Sequence, residues 1–163
     1  MGSGPRLQVA DAVRHRIPPA LLRSWMRRLT RAAHRLRVSP AQLATLVVRV
    51  VGDAEMAELH LRHMKERGPT DVMSFPAEAI PGVPDDARPL GDLVVDWDAV
   101  VRQAAGRHPE AWLHEAAALT VHGLVHLLGH DHRTRQEARV MFRLERKASR
   151  SAGLPPARRA YAS

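Results

Sequence analysis

The chain has 163 residues, 45% of them hydrophobic and 26% charged, and contains no cysteine. That composition fits one globular domain, and the missing cysteines exclude a disulfide framework, thiolate metal ligands and a cysteine nucleophile. The net charge of +8 is divided into basic ends and an acidic middle: residues 1–38 carry +8, residues 39–132 carry −7 and residues 133–163 carry +7.

Leu7 to Val9 is a short strand candidate. Pro18-Pro19 opens an amphipathic helix over 19–36, with Leu22, Trp25, Met26, Leu29 and Ala33 at helical spacing. Leu43 to Val51 is apolar and β-branched and reads as a strand. Asp53 is placed to cap a helix over 54–64. Val72 to Phe75 is a short strand, and residues 76–90, with four prolines, are a loop. Asp92 to Trp97 is a further strand, after which Asp98 caps a short helix to Gly106. Pro109 starts a longer helix to Leu128, stopped by Gly129. A last helix covers 135–151, and Gly153-Leu-Pro-Pro ends it. Short strands mixed with helices, without a regular βαβ repeat, predict an α+β fold in one domain.

The longest stretch without Asp, Glu, Lys or Arg is Ala116 to His130, 15 residues with three histidines. It is too short and too polar to span a bilayer. No membrane partner and a cytoplasmic location are therefore expected, since the first twenty residues also lack the apolar core of a signal peptide. The basic ends read as an electrostatic footprint for nucleic acid or an anionic surface. They read equally as a solvated surface in a chain with 23 Arg and two Lys. Six aromatic residues leave little for a base-stacking platform.

Chemistry concentrates at His122-Gly-Leu-Val-His126-Leu-Leu-Gly129-His130-Asp131-His132. His122 and His126 are four apart on a predicted helix, so both rings leave one face. Gly129 lets the chain turn back, and His132 or His130 then supplies a third nitrogen. Three neutral imidazoles with an open fourth position describe a catalytic zinc site, and nickel, copper or iron are the alternatives. His114 is expected in a core or surface role. Metallopeptidases with a His-Glu-x-x-His helix use the Glu as base; Gly123 stands there, which argues against peptide hydrolysis. Gly123 costs a helix about 1 kcal/mol against Ala. It gives room either for a metal or substrate, or for close helix packing.

At these residues the chain resembles the YbeY family of bacterial endoribonucleases. Its signature His-Gly-x-Leu-His-Leu-x-Gly-Tyr-Asp-His is matched by HGLVHLLGHDH at 122–132, with Val125 in place of Leu. A second, Pro-Thr-Asp-Val-Leu-Ser-Phe-Pro, is matched by Pro69 to Pro76 with Met73 in place of Leu. Leu90-Gly-Asp-Leu-Val-Val95 resembles the family's Leu-Gly-Asp strand, and Glu137, Met141 and Glu145 fall where its last helix has a similar pattern. The resemblance covers residues 43–154 and implies one compact domain over 1–163, with 155–163 a disordered tail. The implied fold is α+β: a small mixed sheet packed with about five helices and a zincin-like three-histidine site. One zinc ion per chain is implied on His122, His126 and His132, with no small-molecule cofactor. The implied activity is zinc-dependent, single-strand-specific RNA cleavage, in maturation of the 3′ end of small-subunit (16S) ribosomal RNA and in ribosome quality control. Ribosomal RNA, the small subunit and its assembly factors are the implied partners. A ribosome-assembly RNA-binding module with a structural zinc is the alternative. Asp131 is a catalytic-site candidate that orients an imidazole or caps a turn. Arg62, Lys65 and Arg67 are candidates to meet phosphates, and Thr70 and Ser74 to hydrogen-bond substrate. The chain departs from the family at His130, where Tyr is usual, and at Met64, which falls where a functional Arg is frequent.

Overall fold

Residues 4–155 are described, in a computed structural model; from residue 156 on, the expected tail lies outside them. Strands β1 (Arg6–Val9), β2 (Val47–Val51), β3 (Val72–Pro76) and β4 (Gly91–Asp96) form one sheet in the order β1-β2-β4-β3. The first, second and fourth are parallel, and β3 closes one edge antiparallel to β4. Parallel neighbours need crossover connections. Helices α1 (Asp11–Arg14), α2 (Pro19–Arg35) and α3 (Pro40–Leu43) lie on the first crossover, and α4 (Asp53–Met64) opens the second. After the sheet come α5 (Trp97–Gln103), α6 (Pro109–Leu127) and α7 (Arg135–Ser151). The α+β class and the small mixed sheet are as expected. The described residues hold seven helices where about five were expected, and the two extra ones are the four-residue α1 and α3.

The strand expected from Leu43 starts four residues later. Ser39 and Gln42 form a reciprocal cap, the serine hydroxyl accepting from Gln42 N–H and the Gln42 side chain accepting from Ser39 N–H. That cap, with Pro40 at the first helical position, stabilises a helical turn ahead of the β-branched run.

Two expected caps are also exchanged. Gly52, not Asp53, is the N-cap residue of α4, and Asp96, not Asp98, caps α5 by accepting Asp98 N–H at 3.0 Å. The Asp98 carboxylate instead accepts Asp53 N–H at 2.9 Å, serving α4 from a different element. Arg16 holds Asp98 at 2.6 Å, and Arg102 holds Asp53 with bonds of 2.7 and 3.1 Å. Asp96 is fully buried. Burial, reinforced by the adjacent Asp53, pushes its carboxyl up to about 7.

The core lies between the sheet and α2 and α6. Trp25 and Leu29 of α2 are fully buried, and the Trp25 indole N–H donates to Thr120 on α6 at 3.0 Å. A buried leucine contributes about 1.5–3 kcal/mol, so this seam fixes α6 against its neighbours. On its other side α6 presses on the sheet. A Cβ on Gly123 would lie 2.7 Å from the Leu93 side chain and 3.1 Å from Ser74 Oγ. Of the two sequence readings of Gly123, close packing is the one present. That contact brings the last turns of α6 beside β3.

Candidate metal centre and cleft

The centre is built at the C-terminal end of α6. His122 is buried and His126 half-buried, four residues apart on one helix face. Gly129, at φ +95°, takes the left-handed conformation that ends helices. The chain then turns back and brings up His132, which is exposed. One ring nitrogen from each of the three histidines lies within 4.8 Å of the others. The ring centroids are 4.6 Å (His122–His126), 5.3 Å (His126–His132) and 5.9 Å (His122–His132) apart. His130 does not share this arrangement: it lines the adjacent cleft and supplies its backbone carbonyl.

The tautomers follow from the partners. His122 Nδ1 bonds the Glu145 carboxylate, and His126 Nδ1 bonds the His130 carbonyl at 2.9 Å. Both partners in their usual state only accept, so each Nδ1 carries the proton. The two Nε2 atoms are then lone-pair donors facing each other at 3.1 Å. Two lone pairs at that separation repel unless a cation or a proton lies between them. Burial, then the charge of His122, lowers the pKa of His126, which keeps it in the neutral form that ligates metals. The donor set therefore fits a metal ion.

Glu145 is the residue that sequence reasoning left without a role. It is a carboxylate only 9% exposed, on the α7 face that also buries Met141 and Ala148. A charged residue at a core-facing helical position is the signal that points to it. Asp131 sits in the turn that carries His132. Its Oδ1 accepts His132 N–H at 2.8 Å and its Oδ2 pairs with Arg133 at 2.9 Å. The His132 amide lowers its pKa first, with Arg133 adding to that. It fixes the turn that carries His132, the second of its two sequence readings. His114 pairs loosely with Glu110, at 4.0 Å, on its own helix.

Beside the histidines lies a cleft of about 990 Å³, walled by β3, the end of α4 and the turn after α6. Ser74 lines it, together with Val72, Phe75, His63, Met64 and Arg133. The His63 and Phe75 rings meet edge to face at 4.9 Å. Arg62, Lys65 and Arg67 are exposed around the end of α4, and neither they nor Thr70 line the cleft. Lys65 ends α4 in a left-handed cap at φ +58° and donates to the Arg62 carbonyl at 3.2 Å. Arg133, which the sequence did not single out, is the arginine that lines the cleft. A second close group, Asp53, Asp96 and Asp98, is the network held by Arg16 and Arg102.

The sequence profile described as Endoribonuclease YbeY matches residues 9–153. The chain belongs to the YbeY family. A YbeY relative from Cutibacterium acnes, named Endoribonuclease YbeY, is 43% identical over 121 residues, which cover 71% of this chain and 75% of that protein. One of the same name from Rhodococcus opacus is 46% identical over 119 residues, 68% of this chain and 63% of its own length, so the match spans slightly less than two thirds of it. The solution structure of a Thermotoga maritima protein superposes with a TM-score of 0.53 at 20% identity, covering 91% of this chain and 87% of that one; it shares the fold. Among the described residues no helix is long and apolar enough to cross a membrane.

Proposed function

We propose that this protein is a zinc-dependent endoribonuclease that cuts single-stranded RNA, with the metal held by His122, His126 and His132. Its place is the cytoplasm, in 3′-end maturation of small-subunit ribosomal RNA and ribosome quality control, and its partners are that RNA, the small subunit and its assembly factors. The observation that carries the reading is the pair of histidine Nε2 atoms 3.1 Å apart beside an open cleft. Two nitrogens on one tetrahedral zinc, at 2.0–2.1 Å each, stand about 3.3 Å apart. The relatives named Endoribonuclease YbeY point to the same activity.

A bound zinc supplies Lewis-acid polarisation to a phosphodiester oxygen or to water. The protein's residues do the rest. Glu145 and the His130 carbonyl hold the ring protons on the Nδ1 atoms and aim both Nε2 atoms inward. Asp131 fixes the turn that presents His132. Arg133 meets a phosphate entering the cleft, and Ser74, whose hydroxyl donates to the Gly123 carbonyl at 3.3 Å, keeps an oxygen lone pair for substrate. Arg62, Lys65 and Arg67 act, if at all, on RNA leaving the cleft.

A structural zinc is closed by a fourth protein ligand. Among the described residues no further His, Asp or Glu joins the three histidines, which favours the enzyme over the assembly module. The deciding experiment offers zinc-loaded protein a labelled RNA, once single-stranded and once annealed to its complement. Cutting of the first alone, stopped by a chelator and restored by zinc, is expected. A protein that holds one zinc and cuts neither is the assembly module.

Glu145 gives a finer test. Glu145→Gln keeps the shape but loses the charge facing His122, and metal affinity is expected to fall about 10- to 100-fold. Zinc competition with a chromophoric chelator measures it. Unchanged affinity would mean that Glu145 only fills space.

A further inference from the structure

We infer that α2 and α7 together present a phosphate-binding face, separate from the histidine cleft, along which the backbone of a longer RNA lies. RNA as the polyanion rests on the endoribonuclease reading; the face itself rests on the following observations.

Helix α2 contains no acidic residue, and Arg23, Arg27, Arg31 and Arg35 recur along it every four positions, all exposed. Helix α7 has two acids, and both are occupied. Glu145 is turned inward to His122, and Glu137 closes the reciprocal cap with Thr134. From Arg143 on, the exposed residues of α7 are Arg143, Arg146, Lys147, Arg150 and Ser151. The two helices pack through small residues, with Ala32, Ala148 and Ala152 fully buried in the seam. Over that seam Arg35, Arg143, Arg146, Lys147 and Arg150 line a groove of about 390 Å³. Among the described residues, none of these five forms an ion pair with a carboxylate. Arg28 is different: it donates to the carbonyls of Ala152 and Gly153 at 3.1 and 2.9 Å and locks the helices together.

Such a face is costly to the isolated fold. Like charges at i,i+4, such as Arg143 with Lys147 and Arg146 with Arg150, each disfavour a helix by a few tenths of a kcal/mol, about 0.2–0.5. One Glu in each register would turn that into a gain, and neither register contains one. A polyanion in the groove relieves the repulsion and releases its own counterions. Arginine forks suit phosphate oxygens. The remaining lining residue is Ser151, so the groove has no apolar side chain to insert into a bilayer, which favours a nucleic-acid backbone over a lipid surface.

The test replaces Arg35, Arg143, Arg146 and Arg150 together by Gln in the zinc-loaded protein, with thermal unfolding as the check on folding. A long single-stranded RNA is titrated over a salt series by stopped-flow anisotropy, before cutting. Affinity at low salt is expected to fall at least about tenfold, and the slope of log K against log salt to flatten by about 3, for four lost contacts to a single strand. A short oligonucleotide that fills only the cleft is expected to be cut with unchanged kcat and KM. The corresponding Arg→Lys variant is expected to keep the parent's slope. Unchanged affinity and slope for the long RNA overturn the inference and leave the cleft reading standing. So does loss of binding to anionic phospholipid vesicles with RNA binding intact. If the unaltered protein neither binds nor cuts RNA, the endoribonuclease reading has failed and this inference falls with it.

Discussion

Replacing His126 with alanine is expected to remove the metal and the RNA cutting together. His126 is the middle member of the group: its ring lies within 5.3 Å, centroid to centroid, of both other histidines, and its Nε2 faces that of His122 at 3.1 Å. Without it two imidazoles remain, one of them on an exposed turn, and neither a tetrahedral nor an open catalytic geometry can be completed. Loss of the Lewis acid costs several kcal/mol of transition-state stabilisation, so cutting is expected to fall at least about a thousandfold, equivalent to about 4 kcal/mol. Folding is expected to persist, because the ring is half-buried and its Nδ1 bond serves only the turn at His130. Metal content per chain, measured on parent and variant alongside the cleavage rate, checks it. A variant that loses the metal but still cuts at the parent's rate would remove the metal from the chemistry.

The histidine group was legible because its spacing on a helix is local: His122 and His126 stand four positions apart, and then a glycine turns the chain. The α+β class and the longer helices were legible for the same reason, since periodicity is a local property. What escaped was set by distant parts of the chain. Glu145 reaches His122 across 23 residues, and only the packing of α7 on α6 makes the pair. The Asp98 carboxylate serves α4 across 45 residues, while sequence alone offers it only its own helix. Arg133, next to His132, lines the cleft, and Arg62, seven residues before Pro69, does not. The direction of an exposed side chain at a helix end depends on how the helix is seated. The parallel centre of the sheet was also hidden, because β3 interrupts the alternation of strand and helix.

Gly91→Ala breaks the sheet edge that walls the cleft. Gly91 opens β4 and pairs with Pro76 of β3, at φ +121°, where side chains are rarely tolerated. A Cβ there would lie 2.1 Å from the Phe75 carbonyl oxygen and 2.8 Å from the Ala77 amide nitrogen. Both are backbone atoms of the paired segment, so no rotamer change relieves the contact; the strands themselves must part. Ala77 N–H, donating to Leu90 O at 3.1 Å, holds their register, and Leu90 is itself anchored ahead of β2, its N–H donating to Thr45 Oγ1 at 3.0 Å. Strain plus lost pairing is expected to cost about 3 kcal/mol or more. Gly82→Ala is the control: φ is +80°, but nothing lies within 4 Å of the added carbon, so it costs only the left-handed conformation, about 1–2 kcal/mol. Urea unfolding of the two variants separates conformation from collision. If Gly91→Ala proves no more costly than Gly82→Ala, β3 is not held against β4 as tightly as these contacts require. If the gap is as large as expected, the backbone contacts at Gly91 hold β3, with its Ser74 and Phe75, firmly in place as a wall of the cleft.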